Sequence, residues 1–256
     1  SGMVMTTLGA PNPTLANSGV AFAAGADLSA LRFAFQTPDE ITFMQGLNLV
    51  TVADLVGGRR LVNAPGSTVR FGNNMANETI SNNLENNGVL ELQGNYTLTG
   101  LLTGTGTLSN SGTLLLSNST GSQIQNSILN NGTITNTGVY TLTGLSSSGA
   151  ASFLNSGTLN FNPGQYVFGT GGYVQSAGNL TVQPGTQLVG NVNINGGALR
   201  GFANITGNLN LIEADTTLDG GTAGNITLAG NVNGFASSDL TLKTNGGAIS
   251  VTGATG

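Results

Sequence analysis

Cysteine, histidine and tryptophan are absent from this 256-residue chain, and only 17 of its residues are charged. Without histidine or cysteine there is no imidazole acid–base catalysis and no thiolate nucleophile. No disulfide framework can brace the fold either. From Leu92 to Ala198 there is no Asp, Glu, Lys or Arg at all. Such depletion suggests a membrane, but no apolar run approaches the roughly 20 residues that a spanning helix needs. The formal charge of −5 and the lack of any basic stripe argue against a nucleic-acid partner.

What is present is glycine, 41 residues of it, with single Leu, Val, Ile or Phe alternating with Thr, Asn and Ser. Alternation of this kind is the period of a β-strand. Regularly placed branched apolar residues also separate the chain from disordered sequence of similar polarity.

One unit recurs, Asn-x-Gly-x-Leu-x-apolar. It reads Asn86-Asn87-Gly88-Val89-Leu90-Glu91-Leu92, then Asn110-Ser111-Gly112-Thr113-Leu114-Leu115-Leu116, Asn130-Asn131-Gly132-Thr133-Ile134 and Asn155-Ser156-Gly157-Thr158-Leu159-Asn160-Phe161. Looser copies place further glycines at 178, 197, 224 and 247. The intervals between these eight glycines average about 23 residues, within the range of known repeat units. A second marker, Tyr96-Thr97-Leu98-Thr99-Gly100, returns as Tyr140-Thr141-Leu142-Thr143-Gly144, and Tyr166-Val167-Phe168-Gly169 follows. Short strands at this spacing, each closed by Asn, Gly or Ser, describe one coil of a solenoid.

The expected fold is therefore all-β, a right-handed parallel β-helix (β-solenoid) with about 20–25 residues per coil. Leu90, Leu114, Ile134, Leu159 and Leu180 are expected to form an inward ladder, and Asn110, Asn130 and Asn155 to stack inside the turns. Glycine is expected to supply positive φ at the corners. The competing reading takes Asn-Gly and Ser-Gly as hairpin turns of a sandwich or antiparallel barrel. Residues 1–75, with Phe22, Phe33, Phe35, Phe43 and Phe71 and a faint repeat, are expected to be an N-terminal cap and irregular first coils. A small separate domain is the alternative. Residues 76–256 form the repeat rod, expected to be a segment of a longer chain.

The runs Leu101-Leu102-Thr103-Gly104-Thr105-Gly106-Thr107-Leu108 and Val182-Gln183-Pro184-Gly185-Thr186-Gln187-Leu188 resemble passenger repeats of bacterial autotransporters. Asn225-Ile226-Thr227-Leu228-Ala229-Gly230-Asn231-Val232 is similar to filamentous-haemagglutinin-like exoproteins. The resemblance covers roughly 84–256 and is one of composition and period. It implies a monomeric β-helical adhesin or display stalk, extracellular or on the bacterial outer-membrane surface. Its partner would be a host-cell or surface receptor, protein or glycan.

Two other classes compete with the rod. A polysaccharide-degrading β-helix enzyme needs paired carboxylates, and the one cluster in the repeat body is Glu213, Asp215 and Asp219, with Arg200 nearby. A solvated edge is the plainer explanation of that cluster. An ice-binding solenoid would use Thr-x-Thr pairs (Thr97/Thr99, Thr103/Thr105/Thr107, Thr133/Thr135, Thr141/Thr143), although threonine is also the ordinary outward residue of strands. The expectation is a non-catalytic chain, with no catalytic residue, no cofactor and no metal site assigned.

Overall fold

The computed structural model describes residues 32–34, 41–43, 50–52, 54–56, 61–63, 65–66, 68–71, 77–81, 83–201, 203–212, 216–222, 225–235 and 239–255. Among them there is no helix, and 33 short strands form three sheets of eleven strands each. The first sheet begins with Arg32–Ala34, the second with Ile41–Phe43 and the third with Val50–Val52. Within each sheet a strand pairs with the third strand after it, always in parallel. Each coil thus lays one strand on each of three sides, which defines a parallel β-solenoid and excludes the hairpin alternative. Ten steps of about 4.8 Å give a rod of about 50 Å. The cap expected at the very N-terminus lies outside the described residues, whereas strands between 32 and 71 already belong to the same three sheets.

Strand alternation sends one side chain in two to the interior. Along the first sheet the inward register runs Tyr96, Leu114, Ile134, Phe153, Tyr173, Val192, Leu209 and Val232. The third carries Val69, Leu90, Leu108, Ile128, Leu145 and Tyr166 in the same way. All of these residues are buried. Burying such columns supplies about 25 cal/mol per Å² of apolar surface, and each coil needs its neighbours to achieve it.

The expected ladder is corrected in one respect. Leu90, Leu114, Ile134, Leu159 and Leu180 all face inward, but on three sides. Leu90 lies on the third sheet, Leu114 pairs with Ile134 on the first, and Leu159 pairs with Leu180 on the second. The motif itself moves around the rod. Its successive copies open strands of the third, first, first, second, second, second, third and third sheets. Gly88 and Gly247 both precede strands of the third sheet, eight coils apart. The coil therefore averages about 20 residues, shorter than the spacing of the motif. Individual coils vary, from a short one between Ile128 and Leu145 to a long one between Leu55 and Ile80. The tyrosine marker drifts likewise, with Tyr96, Tyr140 and Tyr166 on the first, second and third sheets.

The drift has a physical cause, because all three corners make the same demand on the backbone. At the first-to-second corner Gly138, Gly157, Gly178 and Gly197 stack in a column. A Cβ on any of the last three would sit less than 3 Å from the carbonyl oxygen of the glycine one coil before it. Those carbonyls already accept N–H groups of the next coil: Thr158 N donates to Gly138 O at 2.8 Å and Asn179 N to Gly157 O at 2.9 Å. Gly190, Gly207, Gly230 and Gly253 repeat the arrangement at the third-to-first corner. The expectation of positive φ needs correcting here. It holds for Gly178 and Gly197, but Gly88, Gly112, Gly132 and Gly157 of the four closest motif copies are not left-handed. Gly112, Gly132 and Gly157 are glycine because there is no room for a side chain.

The interior is aromatic in one stretch. Phe161 stacks on Tyr166 at 3.9 Å between ring centroids, Phe168 approaches Tyr173 at 5.3 Å, and Phe153 lies 5.9 Å from Tyr173.

Gly157→Ala is expected to lower stability by about 1–3 kcal/mol through backbone overpacking. Gly144→Ala, where a Cβ would meet nothing closer than 3.9 Å, should stay within about 0.5 kcal/mol. Leu159→Ala should cost about 2–5 kcal/mol. Thermal midpoints of one transition across the three variants check this, and equal effects of the two glycine changes would refute the column.

Candidate functional site

Asparagine is the residue type most prominent after glycine at the corners, and its amides fall into two groups. One is internal. Asn136 Nδ2 donates to Asn155 Oδ1 at 2.8 Å, and Asn155 Nδ2 donates to Gln175 Oε1 at 2.8 Å. Asn110 Nδ2 donates to Asn130 Oδ1 at 2.8 Å on a different side. All five side chains are fully buried. The expected stack of Asn110, Asn130 and Asn155 is thus two ladders, one closing strands of the third sheet and one closing strands of the first. Each ladder also ties down its own turn, as Gly157 N donating to Asn155 Oδ1 at 3.3 Å shows. Leucine occupies the same register below each ladder, Leu92 under Asn110 and Leu116 under Asn136.

The other group lies outside. Asn193, Asn210 and Asn233 form an outward amide ladder at 2.6 and 2.7 Å. Asn208 and Asn231 accept backbone N–H groups of the following coil, from Asn231 N at 3.1 Å and Ala254 N at 3.2 Å. These amides are bound to the rod itself.

The four tyrosines are interior too. Tyr140 Oη donates to Leu98 O at 2.5 Å and Tyr166 Oη to Leu142 O at 2.6 Å, while Tyr173 Oη donates to Gln175 Oε1. Burial pushes the Tyr140 phenol up to about 12 and raises those of Tyr166 and Tyr173 further. None of them is placed to stack on an external sugar.

Of the carboxylate cluster, Glu213 and Asp215 lie outside the described residues. Asp219 is described, and it stands in an outward register of the second sheet between Arg200 and Lys243. Lys243 Nζ is 3.1 Å from its carboxylate, and Gly221 N donates to it at 2.9 Å. The Gly221 N–H, followed by Lys243, holds its carboxyl below the usual range. Arg70 and Glu91 form a second outward ion pair at 2.5 Å. Among the described residues no group of three acidic, histidine or cysteine side chains could hold a metal ion. The Thr-x-Thr pairs do not build one regular face. The outward register of the first sheet reads Thr97, Leu115, Thr135, Leu154, Val174, Asn193.

One concavity stands out on the outer surface, with a volume of about 450 Å³. It runs along the edge where the chain enters the second sheet. Asn83, Leu101, Gln123 and Thr141 line it from four successive coils, flanked by Ser122 and Val139. The corner Ser117–Gly121, five residues between Leu116 and Ser122, is longer than the two-residue corner Thr137–Gly138 above it. That difference makes the notch. Thr141 stands in the tyrosine marker and Leu101 in the run that resembles passenger repeats, but no single sequence pattern joins the four residues.

The class this architecture defines is that of the parallel β-solenoid proteins. No family model, curated protein or solved structure matches the chain. No helix among the described residues is long and apolar enough to cross a membrane.

Two measurements check the buried polar groups. Asn155→Ala removes the acceptor of the Asn136 amide at 2.8 Å and the amide donor to Gln175 Oε1, and leaves the Gly157 N–H only its bond to Asn136 O. It should cost about 1–3 kcal/mol, against about 0.5 kcal/mol or less for exposed Asn131→Ala. For Tyr140, Tyr166 and Tyr173 the folded phenol titrates above the unfolded one, so their contribution to stability is complete below pH 10 and falls as pH rises from 10 through about 12 and beyond. Tyrosinate absorbance should therefore stay low at pH 10 while the rod is folded and rise only with unfolding. Half-ionisation at pH 10 with β-structure intact would contradict the burial.

Proposed function

We propose that this chain is a non-catalytic rod segment of a secreted or surface-exposed bacterial protein, an adhesin or display stalk of the autotransporter-passenger or haemagglutinin-like kind. The observation that carries this reading is where the polar side chains are used. Amides of the interior bind one another, the Tyr140 and Tyr166 phenols bind backbone carbonyls, the Tyr173 phenol binds Gln175, and Asp219 is paired with Lys243. What the rod offers its surroundings is length and long, nearly uncharged outer rows. These suit attachment or presentation better than bond breaking. The compositional resemblance of 84–256 to passenger repeats supports the same reading.

Inert beads coated with the chain should adhere to host cells, bacteria or abiotic surfaces more than bare beads do. Equal adhesion on all three would count against the adhesin. Incubation with acidic and neutral polysaccharides should release no new reducing ends or unsaturated products. Turnover that disappears in Glu213→Gln or Asp215→Asn would replace this proposal with an enzyme.

A further inference from the structure

From the edge notch we infer a binding site for a neutral oligosaccharide, a reading that rests on the surface role proposed above and names its ligand class. The first argument is charge. No charged side chain lines the notch, so nothing in it compensates an ionic ligand.

The second argument is hydrogen-bonding capacity. Asn83 Oδ1 accepts Leu101 N at 3.0 Å, and Gln123 Oε1 accepts Gln125 Nε2 at 3.1 Å, so each side chain keeps its NH₂ group for a ligand. Ser122 Oγ donates to Gly100 O at 2.9 Å and retains acceptor capacity. Thr141 adds a half-buried hydroxyl. Donors and acceptors are thus mixed with the apolar side chains of Leu101 and Val139. That combination suits a pyranose, which has an apolar ring face and hydroxyls around its rim.

The third argument is periodicity. Four coils place the lining residues about 14 Å from first to last in steps of about 4.8 Å. A linear chain of sugar rings can meet such a repeat along its length. An extended peptide fits less well. The backbone of these strands is paired within the sheet on both sides, so no edge is open for strand addition.

The test uses the whole chain and ligand-observed saturation-transfer NMR with cellotetraose, mannotetraose and chitotetraose, and with tetragalacturonic acid as the anionic counterpart. At least one neutral sugar should bind saturably and the acid should not. A Gln123→Ala/Thr141→Val variant with unchanged circular dichroism should lose at least about tenfold in affinity. If that variant melts early, Gln123→Ala alone, at an exposed position, carries the comparison.

Absence of binding by every neutral sugar, undiminished binding in the variants, or preference for the acid would overturn the site. So would saturable binding of an uncharged extended peptide in place of the sugars. Bead adhesion separates this from the broader reading. Wild-type beads that adhere without binding sugar sink the notch alone, whereas wild-type beads that adhere to nothing sink the surface role.

Discussion

The structure depends on one constraint, that every coil must lie about 4.8 Å from the next around its whole perimeter, corners included. In a sandwich the turns are free to bulge. Here a corner's carbonyls are the acceptors for the coil above, as in Thr133 N to Gly112 O at 2.9 Å. Backbone therefore stacks on backbone where the chain bends most sharply. A side chain there would displace the very oxygen that carries the hydrogen bond. The glycine columns at 138–157–178–197 and 190–207–230–253 follow from that geometry.

The asparagines answer the second half of the same problem. A bend leaves backbone groups that no strand can pair, and buried unpaired groups are costly. An inward amide bonds both to its own turn and to its counterpart in the next coil. Leu92 and Leu116 at the bottom of the two ladders show that the position is not obligatorily polar. Where the ladder ends, Asn110 Oδ1 has no partner among the described residues. A ladder gains from extension and is weakest at its ends, the cooperativity expected of a quasi-one-dimensional stack.

A concave pocket on such a rod forms where the repeat is broken. A regular coil offers flat rows, and the rows here alternate Thr, Leu, Val and Asn without a single chemistry. The lengthened corner Ser117–Gly121 interrupts that regularity and creates the notch. Arg200, Asp219 and Lys243, toward the C-terminal coils, fall in one outward column, where Lys243 pairs with Asp219. Local departures from the average coil, rather than the motif itself, give the molecule its individual surface.

The fixed period favoured a parallel stack, and the three parallel sheets excluded the hairpin alternative. The sequence by itself determined the all-β class, the inward direction of Leu114, Ile134 and Leu159, and the presence of amide ladders. Each depends on alternation or on turn chemistry, which are local. Tertiary structure alone decided which side of the rod each motif occupies. A one-dimensional spacing such as that from Gly88 to Gly112 reads equally as one long coil or as a coil plus one side. The separation of Asn110 and Asn130 from Asn155 was hidden for that reason. The crowding that requires glycine at 112, 132 and 157 was hidden because it comes from the coil before, not from the local turn. The notch was equally invisible. Asn83, Leu101, Gln123 and Thr141 share no motif and stand a whole coil apart along the chain. They become neighbours only because hydrogen bonding between coils brings each strand beside the one a full turn away.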